Sequence, residues 1–130
     1  SIIVEGRLDS IVAPIGAIIE IFVGRITDSD INSYNINKDE VAKIFTVPFR
    51  WFLENDCETY KVRLEIQPYM KNGTGDKEVI LPAKELGLPE RYNEPWGGIL
   101  HEVYLYRTEH GVIWGLTAQI VRELVRIAKM

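Results

Sequence analysis

Asp28, Asp30, Asp39 and Glu40 gather in or beside one polar stretch, residues 27–39, and carboxylates are what a divalent-metal phosphohydrolase is built from. Mg²⁺ takes oxygen ligands in near-octahedral order, so such a site needs several acids converging in space. A run of Asp, Asn and Ser also reads as a solvated loop by turn chemistry alone, and the grouping does not by itself specify a metal. Glu20 stands inside the apolar run 17–25. An unpaired acid there costs on the order of several kcal/mol, so Glu20 must meet a polar cavity, a basic partner or a wet face. His101 and His110 have no serine or cysteine motif beside them, and read as a strand-edge residue and a turn residue. Gly97-Gly98 follows no predicted strand in the way a phosphate loop requires, and no nucleophile elbow is present.

These side chains need elements to position them. Residues 2–7 (IIVEGR) read as a short strand, and residues 17–25 (AIIEIFVGR) as a central strand buried on both faces for most of its length. After the polar loop, 41–47 (VAKIFTV) is the next expected strand, and Pro48 opens a short helix over 49–53. From Thr59 to Gln67 the alternation is strict, with Tyr60, Val62, Leu64 and Ile66 on one side, which predicts a half-buried antiparallel strand. The 72–76 turn (NGTGD) returns the chain along 77–81, and Pro82 with Gly87 brackets one or two helical turns. Residues 90–100 read as irregular and aromatic, 102–107 as a strand, and 108–111 as the turn into 112–114. Leu116, Ile120, Val121, Leu124, Ile127 and Ala128 fall on one face of a terminal helix over 116–129, whose only acid is Glu123. The pattern is that of an α+β domain with a mixed sheet and a C-terminal packing helix.

Length and composition bound the partners. A chain of 130 residues, 46% hydrophobic, fits one domain, residues 1–130, that makes a core without staples. Its single cysteine, Cys57, cannot form an internal bridge and has no zinc-site spacing around it, which fits a reducing, cytoplasmic setting. With 15 basic against 19 acidic side chains, net charge −4, the chain is not a general phosphate-backbone binder, and no nucleic-acid partner is expected. The apolar runs fall far short of the roughly 20 residues that cross a bilayer, and no signal pattern opens the chain, so no membrane partner is expected.

Several stretches together resemble a family. Gly6-Arg7-Leu8-Asp9, Ile21-Phe22-Val23-Gly24, the run from Lys38 through Asp39, Glu40 and Val41 to Val47-Pro48, and above all Gly111-Val112-Ile113-Trp114-Gly115-Leu116-Thr117-Ala118-Gln119-Ile120 resemble the part of Nudix hydrolases that follows the Nudix box, in the coenzyme A diphosphatase branch. The box itself, G-x5-E-x7-R-E-U-x-E-E-x-G-U, has no match. Arg122-Glu123-Leu124 imitates its centre, but Val125-Arg126 stands where acids should follow, and Trp114 holds the place of the earlier glutamate.

The resemblance implies a Nudix-like domain incomplete on its N-terminal side, the remainder of an enzyme in which Mg²⁺ or Mn²⁺ assists water in cleaving the diphosphate of coenzyme A or a related nucleoside diphosphate derivative. No ion is expected on this portion, which is expected to be inactive alone. By the same resemblance Glu40 takes the role of general base or extra metal ligand, with Asp39 beside it. Tyr92 and Trp96, with Pro95, line a pocket for an adenine or pantetheine group. Trp114 wedges against the terminal helix, Gly115 allows the sharp turn into it, and Thr117 caps its first turn. The missing cover predicts exposed apolar surface and bare strand edges, hence a twofold homodimer. The alternative is a non-catalytic module that keeps the Nudix-like frame for binding or assembly.

Overall fold

A computed structural model describes residues 1–14, 16–27 and 34–130. Ile15 and the acids Asp28 and Asp30 lie outside the described residues. In chain order the elements are β1 (Ile2–Val12), β2 (Ile18–Ile26), α1 (Phe49–Glu54), β3 (Glu58–Ile66), β4 (Tyr69–Lys71), β5 (Lys77–Val79), a 3₁₀ turn (Glu90–Asn93), β6 (Trp96–Thr108), β7 (Gly111–Trp114) and α2 (Gly115–Ala128). The α+β class is as the sequence indicates. In place of one sheet the strands form three: β1-β2, β3-β6-β7 and β4-β5. The chain divides into two compact units, Ser1–Tyr60 with Val103–Met130, and Lys61–Glu102.

In the first unit β1 and β2 form an antiparallel hairpin, with Arg7 opposite Phe22, Leu8 opposite Ile21 and Val12 opposite Ile18. Ile19, Ile21 and Val23 face cover, Ile21 being 5% exposed, while Ile18, Glu20 and Phe22 on the alternate face are open. The central strand expected over 17–25 is therefore one arm of a two-stranded ribbon, covered on one face only. Two-stranded hairpins are marginal in water by themselves, so this one depends on its covered face.

The core of this unit is Phe52, Tyr106, Ala118 and Val125, with Val47, Trp51, Leu53, Ile113 and Val121 packed around it. Phe52 meets Tyr106 edge-on, with ring centroids 5.0 Å apart, and Trp51 meets Phe52 edge-on at 5.2 Å. Helix α2 feeds this core through Ala118, Val121 and Val125, spaced three and four apart along one stripe. The chain turns from β7 into α2 at Gly115, whose φ of +66° suits a residue without Cβ. No side chain caps the helix start, so Thr117 does not take the capping role expected of it. Trp114 is 64% exposed and does not wedge against α2. Alternation explains this: Ile113 points to the core, so its neighbour on β7 must point away.

Residues 41–47 do not form a strand. Their apolar side chains are satisfied without a pairing partner: Val47 packs on the core, the Phe45 ring lies 5.7 Å from that of His110, and Lys43 Nζ donates to the His110 carbonyl at 2.9 Å. The hairpin β6-β7 closes with Thr108 opposite Gly111, and Thr108 Oγ1 accepts the amides of His110 and Gly111.

In the second unit β4 and β5 pair antiparallel, Tyr69 opposite Val79, around a turn in which Asn72 Oδ1 accepts the amides of Thr74 and Asp76. Pro82 starts a single helical turn. It ends with Gly87 at φ +69°, Gly87 N–H on the Lys84 carbonyl and Leu88 N–H on that of Ala83, the paired bonds of a Schellman stop. Residues 90–100 are more regular than expected, with a 3₁₀ turn and then β6 already running from Trp96. The strand expected over 59–67 is present as β3, but Val62, Leu64 and Ile66 are 42–58% exposed, so the side expected to be buried is largely open.

Phe52→Ala should cost about 3 kcal/mol in denaturant unfolding, as truncation of a buried aromatic ring does. A loss under about 1 kcal/mol would place Phe52 outside the core.

Candidate functional site

The second unit brings Tyr92 and Trp96 together. The 3₁₀ turn presents Tyr92 and the start of β6 presents Trp96, their rings edge to face with centroids 5.1 Å apart and planes at 88°. The Arg91 guanidinium lies over the Tyr92 ring at 4.6 Å and its Nη2 donates to the Tyr92 hydroxyl at 2.6 Å. Both aromatic rings are half-buried, as is Pro95 between them.

Asn93, between these rings in sequence, lines a cleft of about 630 Å³ with Pro68, Tyr69, Val79, Leu81, Pro82, Ala83, Lys84 and Glu85. The local chain chemistry builds it. The β4-β5 pairing sets Tyr69 beside Val79, and the Pro82-initiated turn buries Ala83 and leaves Lys84 and Glu85 at the margin. Lys77 Nζ sits 4.2 Å from the centre of the Tyr69 ring. Apolar walls with a few polar groups, in a volume of this order, are the usual make-up of a small-molecule site. Neither Tyr92 nor Trp96, the residues expected to line a pocket, lines this cleft, whose walls come from segments with no shared motif; the one available signal was the apolar run over 79–83.

Glu40 lies in the first unit, exposed in the turn at 38–40. Its amide and that of Val41 donate to the Asn37 carbonyl at 3.1 and 2.8 Å, and the Asp39 amide donates to Asn37 Oδ1 at 3.1 Å. Among the described residues no three His, Cys, Asp or Glu side chains converge as a metal site requires. One exposed carboxylate does not supply the oxygen set that Mg²⁺ or Mn²⁺ needs, so these residues by themselves do not fit the ion. Glu20 is accounted for without a site: it is open to solvent and its Oε1 pairs with Arg7 Nη2 at 2.9 Å. His110 sits in the β6-β7 turn beside Glu109, at 3.3 Å, and His101 is a half-buried residue within β6.

On α2, Arg126 holds Glu123: its Nε donates to both carboxylate oxygens at 3.0 and 3.2 Å, and this hydrogen bonding keeps the Glu123 carboxyl below the usual range. Tyr106 is perturbed as well. Burial, chiefly, and then the charge and hydrogen bond of Cys57 push its phenol up to about 12.

Compared with family models, with curated proteins and with solved structures, the chain matches none. No helix among the described residues is long and apolar enough to cross a membrane.

The Tyr106 shift carries a pH dependence of stability. Between about pH 10 and about 12 the folded chain keeps a proton that the unfolded chain has released, so this contribution is complete below pH 10 and lost as pH rises through that window. Unfolding free energy should therefore fall more steeply with pH there in the wild type than in Tyr106→Phe; equal slopes would contradict the burial of the phenol.

Proposed function

We propose that this chain is the C-terminal portion of a Nudix hydrolase of the coenzyme A diphosphatase kind, supplying frame and substrate-facing surface while the metal-binding glutamates belong to a Nudix box outside it. The observation that carries the reading is the junction at 111–120. There the sequence run that most resembles the family folds as strand, positive-φ glycine and packed helix, with Gly115 at φ +66° and Ala118 fully buried. Further support comes from the half-buried Tyr92–Trp96 pair and the apolar cleft that Asn93 shares, which suit the flat or apolar part of a nucleotide-like diphosphate.

In this reading Tyr92 and Trp96 hold the non-reacting group and exclude water from it. Glu40 is poised to take a proton from water or to add one oxygen to a ligand set completed elsewhere. The ion, Mg²⁺ or Mn²⁺, comes with the box segment. The 130-residue chain should then show no coenzyme A hydrolysis above buffer with Mg²⁺ present. Robust turnover that Glu40→Gln removes would show a metal site within the chain and overturn the reading. Trp96→Ala should weaken coenzyme A binding about tenfold, the usual worth of one aromatic stacking partner, read by fluorescence titration.

A second reading, an assembly module, is favoured by a different observation. The face of the β1-β2 ribbon bearing Ile18 and Phe22 is open, those residues being 72% and 54% exposed, and among the described residues neither strand pairs with a third. A twofold dimer covering that face is its direct consequence. Sedimentation should show a concentration-dependent dimer that Phe22→Lys dissociates; a strict monomer at every concentration would rule the assembly out.

A further inference from the structure

We propose that the first unit carries a second small-molecule site, a cationic cleft along α2 that binds the phosphate dianion, free or as a monoester. The proposal stands on that unit's own geometry and is independent of the Nudix reading. Arg122, Arg126 and Lys129 are spaced four and three apart, which puts them on one side of α2, and all three line a cleft of about 470 Å³. Asp56 is the only carboxylate among the lining residues. Glu123, which holds Arg126, is outside that lining, so the pair orients the guanidinium without placing its carboxylate in the cleft.

Arg122 acts on Glu123 through its charge but forms no salt bridge with it. No carboxylate among the described residues pairs with Arg122 or Lys129; Arg122 instead lies over the Tyr104 ring, 4.7 Å from its centre, which holds its plane. A helix C-terminus presents about half a negative charge, which one basic residue offsets. Glu123 already neutralises Arg126, so the excess rests on Arg122 and Lys129, which against one aspartate and that half charge leave about half a positive charge for a bound anion to offset.

The chemistry selects the anion. Guanidinium forks match phosphate oxygens in paired hydrogen bonds, and with Arg126 Nε and Nη2 already on Glu123 the groups open to phosphate are the Arg122 fork and the Lys129 ammonium. Thr59 adds a hydroxyl at the rim. Phe52 and Val125, part of the packed core, give the cleft an apolar floor on which the organic body of a monoester can rest. The cleft is several times larger than one phosphate, which leaves room for that body.

The test is calorimetric titration of the full 130-residue chain with inorganic phosphate and, separately, with phenyl phosphate. Saturable binding of at least one probe is expected, weakening as salt is raised, falling about tenfold or more in Arg122→Ala and several-fold in Lys129→Ala, with partial recovery in Arg122→Lys. Tighter binding of phenyl phosphate assigns the site to monoesters; equal binding assigns it to free phosphate. Lys129 is exposed at the end of α2, so its variant keeps the fold and remains informative if Arg122→Ala unfolds. Absence of saturable binding of both probes at millimolar concentration, or binding unchanged in both Arg122→Lys and Lys129→Ala, would overturn the proposal.

Discussion

The edge-on packing of Phe52 against Tyr106, closed over by Ala118 and Val125, is the contact on which the first unit depends. Helix α1 has six residues and no side-chain cap, too short to persist without tertiary support. Its place is set because Phe52 enters this core. The same contact fixes α2, which presents Ala118 and Val125 inward and thereby turns Arg122, Arg126 and Lys129 along the cleft beside it. It also fixes β6 through Tyr106, and from there Arg107, which donates to Glu58 at 2.7 Å and to the Tyr60 hydroxyl at 3.3 Å, ties β6 to β3. Function in this unit, whatever ligand it serves, rides on a handful of buried side chains.

The second unit is built differently. Its buried residues are Pro68 and Ala83, and its order comes from turns: the Asn72 side chain gathering the amides of its own loop, the Schellman stop at Gly87, and the 3₁₀ turn that aims Tyr92 at Trp96. Turn chemistry of this kind fixes backbone direction cheaply and leaves apolar walls unfilled, which is how a cleft arises beside Tyr69 and Val79. Gly98 shows the cost of a close approach: at φ +83°, a Cβ there would fall 2.6 Å from Arg63 Nε.

What was legible in the sequence followed local rules. The strand at β3, the Asn72 turn, the Pro82–Gly87 bracket and the terminal helix are dictated by residues within a few positions of one another. What failed depended on partners far along the chain. Residues 41–47 look like a strand because Val, Ile and Phe favour one, yet Val47 and Phe45 are satisfied by side-chain packing. Gly97-Gly98 hid the early start of β6. Periodicity said which residues of β2 and β3 share a face, but not whether anything covers that face. Both clefts are assembled from segments that no motif links.

We propose that this chain holds the substrate-facing surface of a diphosphate hydrolase but not its metal. The direct measurement is a calorimetric titration of the 130-residue chain with coenzyme A, once in a chelator and once with excess Mg²⁺. The account predicts saturable binding of equal affinity in both, lost on replacing Tyr92 and Trp96 together by alanine. Binding that appears only with Mg²⁺, or none in either condition, would contradict it.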